Sequence, residues 1–284
     1  MRKFLAADWN QRSSAAKFEY AECEECALIF IERIPADLAR YYLHEQYDIP
    51  GDRRGFEVRA ASQAWKVDLL KALIAGGSLF EIGPATGEFA FAARVAGFRP
   101  RLAEMNPDCC AFLRDVLEFD VIGTNNPAEA LFEGNTYDAI CVWQAIEHIP
   151  QFWRVMERAA ESLSAGGVLV VSTPNPDSIQ ARVLGKYWPH LDAPRHLYLI
   201  PPSWFAAYAP RYGLSVVMNT TMDSGSLGLN FYGWYLAIRN LVRGKLPERI
   251  IHTLARAIAA GLGPLERSEG GGCSYTIAFR KSEG

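Results

Sequence analysis

Long apolar runs are missing from this chain. No segment approaches the roughly 18 uninterrupted apolar residues that a membrane-spanning helix needs, and the sequence predicts no membrane span. Arg2 and Lys3 are not followed by the apolar stretch of a secretory signal, so a cytoplasmic protein is expected. Cysteine is sparse too. Six cysteines in 284 residues, with Cys109 and Cys110 adjacent, make no disulfide framework and fit a reducing compartment. Cys23-x-x-Cys26 has the spacing of half a zinc ribbon, but no second pair completes the four ligands of a structural zinc site, and no metal is expected there. Positive charge is not in surplus either. A formal net charge of -3 gives no basic footprint for a phosphate backbone, so nucleic acid is not an expected partner.

What is present suits a soluble α/β enzyme. Hydrophobic residues make up 50% and charged residues 21%, enough for a sizeable core. The length suits one catalytic domain with additions. Residues 1–55 read as an N-terminal accessory segment, with an apolar run at Ala27 to Ile31 and tyrosines at Tyr41, Tyr42 and Tyr47; Asp48 to Gly55 reads as a linker. Residues 56–284 read as the catalytic domain, with a helical lid or insertion over 224–268. Glu57 to Ala75 shows helical spacing through Val58, Ala61, Trp65, Leu69 and Leu73. Strand-like and helix-like stretches then alternate: Ser78 to Ile82, Glu88 to Ala96, Pro100 to Glu104, Pro107 to Leu117, Ala139 to Trp143, Phe152 to Leu163 and Val168 to Ser172. That alternation predicts parallel strands with crossover helices. Gly213 to Thr220 and Ser274 to Arg280 add two strands. Leu227 to Leu241 and Ile250 to Leu262 between them read as two amphipathic helices on the sheet, with a lid over an apolar substrate or a membrane-surface helix as alternatives.

The chemistry concentrates at Phe80-Glu81-Ile82-Gly83-Pro84-Ala85-Thr86-Gly87, between a predicted strand and a predicted helix. Gly83 and Gly87 let the chain turn sharply and bring backbone N–H groups close to a ligand. Ala85 stands where the dinucleotide pattern G-x-G-x-x-G has its second glycine, which disfavours a pyrophosphate ligand and a nicotinamide dehydrogenase. Twenty-three residues beyond Glu81, Glu104 ends the next predicted strand, where a carboxylate can take both hydroxyls of a ribose.

With these motifs the chain resembles the class I S-adenosylmethionine-dependent methyltransferases, nearest the branch of the ubiquinone-biosynthesis O-methyltransferases and sugar or natural-product methyltransferases. The resemblance spans about residues 23–281. Glu81 to Gly87 is similar to the family's first motif and Glu104 to its ribose-binding acid. Tyr137-Asp138-Ala139-Ile140 and Glu147-His148-Ile149-Pro150 are similar to the fourth strand and the segment after it. Leu163 to Gly167, with Val168 to Asn175, is similar to the glycine turn and fifth strand. The resemblance implies a Rossmann-like, seven-stranded, mostly parallel sheet flanked by helices, and S-adenosylmethionine as cofactor. It places the adenine near Asn125, Asn126 and Pro127, and the methionine part near Gly83, Trp143 and Gln144. The implied cofactor set is Glu81, Gly83, Pro84, Gly87, Glu104, Met105, Asn126, Pro127, Gln144 and Tyr47. Some relatives hold a divalent ion with two acids and a histidine spaced like Gln144, Glu147 and His148; Gln144 replaces the first acid, and a hard cation prefers carboxylates.

Methyl transfer needs an aligned nucleophile and, for a hydroxyl, a proton acceptor. His148 and His196 are the candidates, with His196 preferred because Gly185 to Tyr198 resembles a recurrent stretch of the same branch. A loop-tying role for His196 or Arg195 stands beside that reading. The expected activity is methyl transfer to a hydroxyl of a small molecule, a sugar or secondary metabolite. The alternatives are C- or N-methylation of a small metabolite and a cofactor-binding module without turnover. A homodimer is compatible with the sequence.

Overall fold

The computed structural model describes residues 1–42, 48–50, 53–131 and 134–283. The chain divides into two compact units: Met1–Tyr42 with Ser172–Ala207 and Asn219–Thr276, and Leu43–Val171 with Tyr208–Met218 and Ile277–Gly284. Seven strands, numbered in chain order, form the larger sheet: β1 (Gly77–Ile82), β2 (Phe98–Glu104), β3 (Asp120–Gly123), β4 (Tyr137–Trp143), β5 (Leu163–Pro174), β6 (Leu214–Thr220) and β7 (Ser274–Lys281). Their order is β6-β7-β5-β4-β1-β2-β3. β1 pairs in parallel with β2 and β4, setting Phe80 opposite Arg101 and Ile140, and β2 pairs in parallel with β3. The expected Rossmann-like architecture is therefore present.

Both faces of this sheet are covered, which is why its central strands read as continuous apolar runs rather than alternations. Leu79 to Ile82 are buried in succession, as is Ala139 to Trp143. Val67 and Leu70 of helix Ala64–Leu73 and Phe89 and Ala93 of helix Glu88–Val95 pack with Leu79, Ala139, Cys141, Val168 and Val170. Register at the strand entries is fixed by Asp138. Its carboxylate accepts from Ser78 N (2.8 Å), Ser78 Oγ (2.9 Å) and Ser164 Oγ (3.0 Å), joining the starts of β1, β4 and β5. The Ser78 backbone N–H is the main reason its carboxyl lies below the usual range.

Two local expectations need correction. The single helix expected over Glu57 to Ala75 is two, Arg53–Ala61 and Ala64–Leu73, so Arg53 to Gly55 belongs to a helix rather than a linker. Ser62 marks the break: its N–H (3.0 Å) and its hydroxyl (2.7 Å) both donate to the Arg59 carbonyl, a local bond that competes with helix continuation. Val58, counted in the apolar stripe, is 73% exposed, and the buried positions are Phe56, Ala60, Val67 and Leu70.

The other unit is built on a second sheet. Arg2–Ala7, Lys17–Glu22, Ile29–Ile31 and Tyr198–Leu199 pair antiparallel in that order. Phe18, Tyr20, Ile31, Trp188, Leu191 and Leu199 form its core. Arg195, fully buried, is the polar centre. It donates from Nε to Asp192 Oδ2 (2.8 Å), from NH2 to Asp8 Oδ1 (3.0 Å) and from NH1 to the Tyr41 carbonyl (3.3 Å). Burial raises the cost of ionising Asp192, yet the Arg195 hydrogen bonds and the nearby charges hold its carboxyl down to about 2. Helices Ser224–Val242 and Glu248–Glu266 pack together in this unit, tied to its interior by Glu266, whose Oε1 accepts from Gln180 Nε2 (2.9 Å) and Trp234 Nε1 (2.8 Å).

Removing Arg195 would leave Asp8 and Asp192 buried without their partner. Arg195→Leu is expected to destabilise the protein by about 3–5 kcal/mol, measured as the shift of the urea unfolding curve, whereas a shift below about 1 kcal/mol would show that Asp8 and Asp192 do not depend on Arg195 in the folded state.

Candidate functional site

The chain leaves β1 for β2 on one side and later returns to place β4 on the other. The connections thus diverge between β1 and β4, and open α/β sheets bind ligands beyond the carboxyl ends of strands at such a point. The turn Gly83 to Gly87 lies directly after β1.

Three successive odd-numbered residues of this turn have positive φ: Gly83 (68°), Ala85 (52°) and Gly87 (86°). Glycine is required at both ends. A Cβ on Gly83 would lie 2.8 Å from the Ala145 Cβ, and one on Gly87 would run into Leu113 Cδ2. Ala85 takes the left-handed conformation despite its Cβ and is held by a hydrogen bond: its N–H donates to Glu104 Oε2 at 3.0 Å. Glu104 Oε1 accepts from Met105 N (2.9 Å) and Asn106 N (2.8 Å), so this 3%-exposed carboxylate collects three backbone N–H groups. Burial still leaves its pKa above the usual value, with those three bonds offsetting part of the rise. A carboxylate has about four acceptor positions, which leaves one for a ligand hydroxyl.

Glu81 differs. It is 3% exposed, and its Oε2 has no hydrogen-bond partner among the described residues. Burial pushes its carboxyl up to about 8; the Lys66 charge opposes the rise, and Glu88 and Glu104 add to it. Lys66 sits with its ammonium 5.0 Å from the Trp143 ring centroid, and Trp143 is also flanked by Trp65 (5.7 Å) and Phe89 (5.2 Å). Sequence reasoning passed over Lys66. On a helix with mixed surface residues nothing in its spacing distinguishes it, and only the packing of that helix against Trp143 brings its charge to bear.

The remaining expected residues fall as follows. Pro84 is buried and Met105 is 57% exposed. Asn126 is exposed, its N–H bonded to Thr124 Oγ1 (2.9 Å), and Pro127 is buried at the start of helix Pro127–Leu131. Gln144 follows β4 with φ of 50°, and Glu147 (buried) and His148 (half-buried) lie in the short turn Ile146–His148. These residues all belong to the unit that holds β1 to β4. His196 belongs to the other unit, is 8% exposed and has its Nδ1 2.7 Å from the His190 carbonyl oxygen and its Nε2 3.9 Å from Asp192 Oδ2. Tyr41 is buried edge-on against Phe18, and the Tyr42 hydroxyl donates to the Arg195 carbonyl (3.4 Å). Tyr47 lies outside the described residues.

These features suit a nucleoside carrying hydroxyl and ammonium donors: two buried carboxylates, one with an unsatisfied oxygen, beside a turn whose glycines keep the approach open. A titration test follows. Folding raises the Glu81 pKa, so its contribution to stability is fully present below about 4.5 and is lost as pH rises through about 8. Between those limits the urea midpoint is expected to fall with pH, and Glu81→Gln should flatten that fall; parallel curves would mean that Glu81 keeps its charge when buried.

A family model described as a methyltransferase domain matches residues 56–219, more than half of the chain. No curated protein matches. Among solved structures, a S-adenosylmethionine-dependent methyltransferase from Archaeoglobus fulgidus superposes with a TM-score of 0.54 at 17% identity, covering 78% of this chain and 94% of that one. The CcbJ methyltransferase from Streptomyces caelestis gives 0.53 at 15% identity, covering 78% and 95%. At such identities the likeness is one of fold. With the matched domain spanning the glycine turn, both acids and β1 to β5, the chain belongs to the methyltransferase domain family, in the class that uses S-adenosylmethionine.

Proposed function

We propose that this protein methylates a hydroxyl of a small molecule, a sugar or a secondary metabolite, with the cofactor held by Glu81, Gly83, Pro84, Gly87, Glu104, Met105, Asn126, Pro127 and Gln144. One observation carries the cofactor half of this reading: at the end of β1, Glu81 keeps a buried oxygen without a partner among the described residues, beside a glycine turn whose Ala85 amide is fixed by Glu104. The bound cofactor supplies an electrophilic methyl group on a sulfonium. Everything else falls to the protein. The Glu104 carboxylate, already oriented by three N–H groups, accepts from the ribose. Glu81 accepts from a further donor, and gaining one lowers its raised pKa. The rings of Trp65 and Phe89 pack edge-on against Trp143 at the end of β4.

A hydroxyl acceptor needs a group that takes its proton. His196 and His148 fill that role in this proposal, on the resemblance of their segments. The absence of a basic surplus in a chain of net charge -3 supports a small acceptor over a nucleic acid.

Glu104→Ala is expected to weaken S-adenosylmethionine binding at least tenfold, about 1.4 kcal/mol, in calorimetric titration; an unchanged dissociation constant would remove Glu104 from the site. Incubation with isotope-labelled methyl donor and a panel of hydroxyl-bearing acceptors should give an O-methyl product, and His196→Ala should lower turnover while cofactor affinity stays. Label on nitrogen or carbon alone, or binding without turnover across the panel, would overturn the hydroxyl assignment.

A further inference from the structure

Helix Glu248–Glu266 has three distinct sides, and the proposed methyl-transfer site uses none of them. Ile251 and Ala255 face the unit's interior and are buried. On a second side, at spacings of four and eleven residues, Ile250 (44% exposed), Leu254 (42%) and Leu265 (52%) form an apolar stripe along the helix, with the exposed Gly261 between the last two. On the third, Arg249, Arg256 and Arg267 recur at spacings of seven and eleven, are exposed and are in no ion pair among the described residues.

The end of helix Ser224–Val242 and the turn after it carry further exposed apolar and cationic residues. Leu241 is 55% exposed. The Arg243 guanidinium lies 5.6 Å over the Trp9 ring, Trp9 meets Tyr187 edge-on at 5.1 Å, and the Lys186 ammonium is 5.3 Å over Tyr187. From Arg239 to Arg267 there are six cations and two acids. Both acids are engaged: Glu248 accepts from the Tyr235 hydroxyl (2.9 Å), and Glu266 is buried on Gln180 and Trp234. The segment's formal charge is thus +4 in a chain whose net charge is -3, with the exposed Glu269 two residues beyond it. Read as separate segments, the two helices hold few cations; the connecting turn and the outer edge of the second helix hold most of them.

We propose that this face rests on an anionic lipid bilayer, with the stripe of Ile250, Leu254 and Leu265 at the acyl boundary and the arginines on lipid phosphates. Charge and shape both point to that occupant. An interfacial helix combines an apolar side with flanking cations, polybasic segments are drawn to anionic leaflets, and Trp and Tyr settle at headgroup depth. No helix of the described residues is long and apolar enough to cross a membrane, so the contact is one of lying on the surface. Two-fold contact with a second copy would set the same arginine edges against each other. Nucleic acid would use the cations but gain nothing from a branched aliphatic stripe.

Co-sedimentation with phosphatidylcholine vesicles containing about 30% phosphatidylglycerol is expected to be about tenfold stronger than with phosphatidylcholine alone, and to weaken with salt. The double variants Ile250→Glu with Leu254→Glu, and Arg249→Glu with Arg256→Glu, should each lose about tenfold in vesicle binding. All four positions are exposed, so helicity by circular dichroism and affinity for S-adenosylmethionine should stay unchanged. Equal partition onto neutral and anionic vesicles, or variants that bind like the parent, overturns the proposal. So does a dimer in analytical ultracentrifugation that Leu254→Glu abolishes, which assigns the face to a second copy, and so does retention of duplex DNA without vesicle binding. Vesicle partition is read independently of turnover, so it can fail while methyl transfer succeeds, and the reverse.

Discussion

The Glu104 carboxylate is the interaction on which the cofactor end of the sheet depends. It joins two segments that the chain visits separately, the tip of β2 and the turn after β1, by accepting Met105 and Asn106 on one oxygen and Ala85 on the other. A left-handed alanine is disfavoured by its Cβ, and the charge-assisted bond to its N–H offsets that cost. The direction of the Ala85 amide and the path of the turn follow from one side chain. Gly83 and Gly87 then supply what no side chain can, room against Ala145 and Leu113.

Buried charge is handled in two ways in this protein. Around Arg195 it is closed: Asp8, Asp192 and the Tyr41 carbonyl take the guanidinium's bonds, Asn10 also reaches Asp192, and among the described residues no buried polar side-chain atom of Arg195, Asp8 or Asp192 lacks a partner. At the end of β1 it is open. Glu81 has an oxygen without a bond among the described residues and a pKa lifted by burial, opposed by the charge of Lys66. An incomplete set of partners in a buried acid is costly unless something else completes it, and this contrast separates a group that holds the fold together from one poised for a ligand.

Much of the larger sheet could be read from residue order because its strands are buried on both faces. Leu79 to Ile82 and Ala139 to Trp143 therefore stand out as uninterrupted apolar runs, and the glycines and Glu104 sit at their ends. β3 was not foreseen: Asp120 to Gly123 is short and half-exposed, with no pattern of its own. The strands Arg2–Ala7 and Lys17–Glu22 escaped as well, since charged residues on their outer side read as a polar start, and only their pairing with each other and with Ile29–Ile31 makes them a sheet. In the site, the acids were legible by spacing. Lys66 was not, because its effect arises from helix packing. Arg195 and His196 could be located as a motif, but the depth of their burial comes from contacts with Asp8 and Tyr20, far away in sequence.

The bond between Arg195 and Asp8 closes a span of 187 residues. During synthesis the first strands leave the ribosome long before their arginine exists, and the intervening chain includes the whole run from β1 to β4. Contacts of such separation form late, after the loop entropy between them has been met. The strands β1 to β4 can pair from nearby segments, whereas the Asp8 carboxylate waits for its partner until Arg195 arrives. The Asp8 carboxylate is therefore made without a counter-charge, and its guanidinium partner follows only after the whole stretch from β1 to β4 has been synthesised.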